Sequence, residues 1–154
     1  MSAVEPNLVE VRPEHRFDED KLAEYLHQVL PQEFAEGFRI RQFEGGQSNP
    51  TFLLENDQGQ FVLRKKPPGE LLPSAHLVER EYKVMAALGD TPVPVPEALH
   101  LCEDDSIIGT PFYVMRYVAG RIFEQPDLED ADPSERATIY YEMVDTLAHL
   151  HQVD

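Results

Sequence analysis

The sequence predicts an α+β fold, a five-stranded antiparallel sheet with one helix inserted after the third strand. Three observations carry this. An alternating run, Phe38–Phe43, is followed by two more strand-like runs joined by short turn clusters. A run of helical period then ends at Gly89, where a glycine stop belongs. Two further strand-like runs precede an acidic, proline-containing stretch and a last helix.

Each element has its own local reason. Residues 1–17 are polar, contain Pro6 and Pro13, and read as a loose arm. Asp18 offers an N-cap, and Leu22, Tyr25, Leu26, Val29 and Leu30 recur at helical spacing, so a helix is predicted over 19–30. Phe38-Arg39-Ile40-Arg41-Gln42-Phe43 alternates as a half-buried strand should. Glu44 to Pro50 breaks that period, and Thr51-Phe52-Leu53-Leu54 resumes it. Asn56-Asp57-Gln58-Gly59 is a turn, and Phe61–Lys66 is the third strand, ended by Pro67-Pro68-Gly69. The inserted helix is predicted from Ser74 to Leu88. Strands over Glu97–Glu103 and Pro111–Val118 complete a unit spanning 18–118, with 119–132 as a hinge or linker. Asp132-Pro133-Ser134-Glu135 places an N-cap, a first-turn proline and an acidic third residue, so the last helix occupies 133 to about 151.

Composition bounds the function. Apolar residues make up 42% and charged residues 27%, a globular balance. No apolar run reaches the roughly 18 residues that a membrane helix needs. The N-terminus has neither secretory nor transit-peptide character, which makes a cytoplasmic address the expectation. A net charge of −16, from 29 acidic and 13 basic residues, argues against general nucleic-acid binding but permits a small basic pocket. Cys102 is the one cysteine, so no internal disulfide or cysteine-cluster metal site can form. Its place in the alternating run Ala98–Cys102 reads as a packed strand residue rather than a reactive thiol.

Chemistry concentrates at four places. On a helical wheel, Leu77, Val78, Tyr82, Val84, Met85 and Leu88 share one arc, and Glu81 lies inside it. A carboxylate there is costly unless a cation or several donors meet it. The alternative is an edge residue whose carboxylate reaches solvent. On the preceding strand, alternation sends Val62, Arg64 and Lys66 to one face and Phe61, Leu63 and Lys65 to the other. Arg64 follows three apolar residues and reads as partly buried, while Lys65 and Lys66 suit a strand end opening to solvent. The Gly45-Gly46-Gln47-Ser48-Asn49 turn offers backbone amides and side-chain donors to an anion, although Gly-Gly between strands is commonly a plain hairpin. Finally, in Pro111–Gly120 an apolar strand leads into a short connector whose exposed backbone can read a purine edge.

These features in this order resemble the aminoglycoside phosphotransferase family, which includes choline-kinase-like enzymes and has a protein-kinase-like fold. The resemblance is closest to its branch associated with acyl-CoA dehydrogenases. Gly45-Gly46-Gln47-Ser48-Asn49-Pro50-Thr51-Phe52 and Phe61-Val62-Leu63-Arg64-Lys65-Lys66-Pro67-Pro68-Gly69 carry it, supported by Leu71–His76, Cys102–Tyr117 and Ala148–His151. The resemblance implies a kinase N-lobe binding ATP with magnesium. Gly45, Gly46, Gln47, Ser48 and Asn49 would cover the phosphates, and Arg64 would contact them while paired with Glu81. Lys66, on the same face, is the alternative cation. Met115 would back the adenine pocket, and the Arg116 carbonyl and Val118 amide would meet the adenine edge. The implied reaction is phosphoryl transfer from ATP to a small-molecule hydroxyl, with a non-catalytic, pseudokinase-like nucleotide-binding or interaction module as the alternative.

The family's catalytic Asp, the Asn downstream of it and its second magnesium-binding Asp would fall beyond Asp154. Residues 133–154 then read as the first helix of an incomplete C-lobe. The expectation is a truncated chain that transfers no phosphate by itself and holds no metal-ligand set of its own. Ile139, Tyr140, Met143, Val144, Leu147 and Leu150 share one arc of that helix. If uncovered, this stripe predicts self-association.

Overall fold

The computed structural model describes residues 7–44, 49–67, 69, 77–123, 126–129 and 131–153. The elements run β1 (Leu8–Val9), α1 (Glu19–Val29), β2 (Arg39–Phe43), β3 (Thr51–Asn56), β4 (Gly59–Lys65), α2 (Val78–Leu88), β5 (Ala98–Cys102), β6 (Phe112–Arg116) and α3 (Pro133–Leu150). One antiparallel sheet of six strands results, in the order β1-β2-β3-β4-β6-β5.

The sixth strand is a departure from the sequence reading. Within the arm expected to be loose, Leu8 and Val9 pair with Phe43 and Gln42 at the sheet edge. Arg12 then donates its amide to Gln42 Oε1, and a 3₁₀ turn forms over Pro13–His15. A two-residue strand is too short to show a period. Its partner lies more than thirty residues downstream, so no local signal announces it.

Alternation divides the sheet into two faces with different work. Phe52, Leu54, Phe61, Leu63, Phe112 and Val114 point to one side, where α1 packs on them. Asp18 caps α1 by accepting the Lys21 amide, as its sequence position predicts. Leu22 and Leu26, one turn apart, are fully buried, and each such burial contributes about 1.5–3 kcal/mol. Phe34 completes this core against Phe38 and Phe61.

The register sets the other face. Thr51 is opposite Arg64, and Arg64 is opposite Tyr113; Leu53 is opposite Val62, and Val62 is opposite Met115. Helix α2 lies against β5 and β6 on this side. Val78 is the residue of α2 that is fully buried. Val84, placed by the wheel in the buried arc, is 51% exposed instead. It lines a groove of about 560 Å³ with Leu77, Arg80, Ala87 and Glu103. The helix meets the sheet along a narrower strip than its apolar arc allows.

Asp132 caps α3 by accepting the amides of Ser134 and Glu135, with Pro133 in the first turn. Arg136 reaches back to the carbonyls of Leu128 and Ala131, tying the helix to the preceding connector. Leu128 sits there at φ 53°, left-handed backbone held by its own burial. The arc predicted on α3 is largely uncovered: Tyr140, Met143, Val144, Leu147 and Leu150 are all exposed. Among the described residues, no helix is long and apolar enough to cross a membrane.

Candidate functional site

Glu81 projects from the first turn of α2 into a cluster drawn from three other parts of the chain. Its Oε2 lies 2.9 Å from Arg64 Nε on β4 and 3.0 Å from the Tyr113 hydroxyl on β6. Its Oε1 accepts from Asn49 Nδ2 at 3.1 Å, from the connection between β2 and β3. The two open readings of Glu81 are thereby separated: the carboxylate turns inward to donors. Its side chain is 37% exposed and that of Arg64 is 32% exposed, so the group sits at a boundary rather than in the deep core.

The Arg64–Glu81 contact is ionic more than directional. Arg64 Nε is buried and close to Oε2, yet its N–H is not aimed well enough to count as a hydrogen bond. Directed bonds come instead from Tyr113, which is 3% exposed, and Asn49, which is 2% exposed. Burial, then the charge and hydrogen bond of Glu81, push the Tyr113 phenol well above its ordinary range, with Arg64 partly offsetting this. Tyr113 is therefore a proton donor at any neutral pH. Among the described residues no protein group meets the terminal Nη nitrogens of Arg64, which leaves up to four N–H donors for something else.

Lys66, the alternative cation, is engaged elsewhere. It pairs with Glu79, and both side chains are 19% exposed. Burial alone would raise the Glu79 carboxyl, but the hydrogen bond and charge of Lys66 outweigh it and hold it below the ordinary range. Lys65 corrects the sequence reading more sharply. Rather than opening to solvent, it is 3% exposed, on the core face of β4, with its ammonium 5.8 Å from the Phe17 ring centroid. Burial lowers its pKa. The arm that folds back over β2 brings Phe17 there, a placement invisible in the strand's own pattern.

At the connector, Met115 is half-buried on the same face as Arg64 and Val62. The Arg116 side chain turns away to Glu97 and Glu33 and lies over Phe61. Val118 is 64% exposed, and among the described residues its amide has no partner. Phe43 and Tyr117 stack at 6.3 Å between ring centroids, bridging the end of β2 and the connector. Gly45, Gly46, Gln47 and Ser48 lie outside the described residues. No group of three or more His, Cys, Asp or Glu side chains that could hold a metal occurs among the described residues.

The sequence reading missed Tyr113. Its signal was available: it stands two residues before Met115, so alternation puts both on one face. What the pattern could not supply was the register, which sets Tyr113 directly opposite Arg64.

An antiparallel sheet with one helix inserted after the fourth strand, its carboxylate paired to that strand's arginine, defines a kinase-like lobe. The chain belongs to the phosphotransferase enzyme family, whose model matches residues 39–154. Among solved structures, a Ralstonia eutropha protein assigned as an aminoglycoside phosphotransferase superposes with a TM-score of 0.77 at 42% identity, covering 90% of this chain and 39% of that one. Among curated proteins, acyl-CoA dehydrogenase family member 11 of Gallus gallus is 50% identical over 99% of this chain, and that of Homo sapiens is 47% identical over 97%. Acyl-CoA dehydrogenase family member 10 of Mus musculus is 47% identical over 97%. The chain spans 20%, 20% and 14% of the length of these three relatives.

Proposed function

We propose that this chain is the ATP-binding part of a small-molecule kinase, transferring the γ-phosphoryl group of ATP to a substrate hydroxyl. One observation carries the reading: Arg64 is paired through Nε to Glu81 while, among the described residues, its terminal nitrogens meet no protein partner. A guanidinium held at its root and open at its tip suits a phosphate oxygen, which it can meet through two parallel N–H bonds. Family membership and the kinase-like fold support the same direction.

In this reading Arg64 grips the α- and β-phosphates, and the 45–49 segment covers them. Met115 and Val62 floor the adenine pocket, and the Val118 amide meets the purine edge with the Arg116 carbonyl. Magnesium would arrive with the nucleotide and neutralise charge on its phosphates; its protein ligands would come from the C-terminal lobe. Such sites act by positioning and electrostatics, because a loose phosphoryl transition state needs little covalent help. The catalytic base and the groups that bind the acceptor would also come from that lobe. For the acceptor we favour a hydroxyacyl-CoA over an antibiotic, because the relatives in which this segment occurs are named acyl-CoA dehydrogenase family members.

Calorimetric titration of the chain with Mg-ATP tests the binding claim. Saturable binding that weakens at least about tenfold with Arg64→Ala supports it, and absence of binding by the folded wild-type chain overturns it. Phosphate transfer from ATP to hydroxyacyl-CoA by the full-length protein tests the acceptor.

A further inference from the structure

We infer that Tyr113 is a positioning residue for Arg64, acting through the Glu81 carboxylate. The inference rests on the nucleotide-binding reading above and adds to it a residue that the sequence pattern did not single out.

An ion pair held by charge alone tolerates rotation of the carboxylate about its own axis. The Nε–H of Arg64 is not directed at Oε2, so the pair by itself does not define the plane of Glu81. Two directed bonds do: Tyr113 O–H to Oε2 at 3.0 Å and Asn49 N–H to Oε1 at 3.1 Å. Each oxygen thus has one buried, directional donor. Tyr113 shares its oxygen with Arg64, so it fixes the very atom the guanidinium leans on.

Tyr113 is itself well anchored. It is 3% exposed, its Cα stands opposite that of Arg64 in the β4–β6 ladder, and its ring meets Tyr82 of α2 at 6.1 Å. The phenol is therefore a rigid post between the helix and the strand. Its proton is retained because burial and the neighbouring carboxylate disfavour the tyrosinate. Asn49 extends the same tie to the segment that follows residues 45–48, so one carboxylate links that segment, β4, α2 and β6.

Removing the hydroxyl while keeping the ring isolates this role. Tyr113→Phe deletes one donor to a charged acceptor, and such bonds correspond to about a 10- to 150-fold change when lost; with Asn49 and Arg64 still in place, about three- to tenfold is expected in Kd for Mg-ADP and Mg-ATP. Adenosine should bind Tyr113→Phe as it binds wild type, because the hydroxyl acts on the phosphate-gripping side chain and not on the base. In a Glu81→Ala background, Tyr113→Phe should cost nothing further, since the acceptor is gone.

Calorimetry of the wild type, both single variants and the double variant with Mg-ADP and with adenosine reads all of this. Equal weakening toward adenosine and Mg-ADP would assign Tyr113 to packing of the pocket and overturn the inference. So would unchanged Mg-ADP affinity in Tyr113→Phe, or additive losses in the double variant. Those outcomes leave the nucleotide reading intact. A wild-type chain that binds neither ligand overturns the nucleotide reading first and this inference with it. Urea unfolding of the same four proteins, reporting coupling between Tyr113 and Glu81, separates a wrong contact from a wrong ligand.

Discussion

Arg64→Ala separates binding from folding. In the folded chain the Arg64–Glu81 pair has both side chains about one-third exposed, at 32% and 37%. Screened pairs of that kind contribute only about 0–1 kcal/mol to stability. Glu81 also keeps Tyr113 and Asn49 as donors when Arg64 is removed. The variant should therefore remain folded, with a melting temperature within about 4 °C of wild type. Its effect on nucleotide binding should be far larger. Charge-assisted hydrogen bonds to phosphate are worth about 1.5–3 kcal/mol, so Kd for Mg-ATP should rise about 10- to 150-fold. Arg64→Lys should recover part of this, because it restores the charge but not the two-pronged guanidinium. Isothermal titration at two salt concentrations reads the affinity, and circular dichroism reads the fold. A folded Arg64→Ala chain with wild-type affinity would refute the reasoning.

Three further outcomes follow from particular contacts. Lys65 is buried on the core face with no carboxylate in reach among the described residues, so Lys65→Met should stabilise the chain by about 1 kcal/mol at neutral pH. Burial lowers the folded pKa below the ordinary 10.5, so wild-type stability rises as pH climbs through that depressed value. The advantage of Lys65→Met should accordingly shrink toward pH 10.5; a pH-independent difference in urea unfolding would contradict it. Asp132→Ala removes the acceptor for two first-turn amides of α3 and should cost about 1 kcal/mol in thermal unfolding. Met143 and Leu147, 60% and 51% exposed on one face of α3, should drive concentration-dependent association in sedimentation, and Met143→Glu with Leu147→Glu should abolish it.

What the sequence disclosed and what it hid divide along a physical line. Features fixed by local periodicity were readable: the strands from Arg39 to Lys65, the inserted helix over Val78–Leu88 (Leu77 is its non-helical cap, and the predicted start at 74–76 lies outside the described residues), the Asp132 cap, and Glu81 on the inward side of its wheel. Even the partner of Glu81 followed, since alternation puts Arg64 on the face that α2 covers. Features fixed by long-range register were not. The edge pairing of Leu8 and Val9, the burial of Lys65 beneath Phe17, and the Tyr113 hydroxyl on Glu81 each join residues more than thirty positions apart. Val84 shows a third case, in which the apolar arc of α2 is wider than the strip the sheet covers.

The most direct test of the central claim is a two-dimensional ¹⁵N NMR titration of the isotopically labelled chain with Mg-ATP, following backbone amides and the Arg64 Nε resonance together. Saturable, concerted shifts at Arg64 Nε, Met115 and the Val118 amide are the predicted result. Shifts confined to other surfaces, or none at these groups while the chain stays folded, would contradict it.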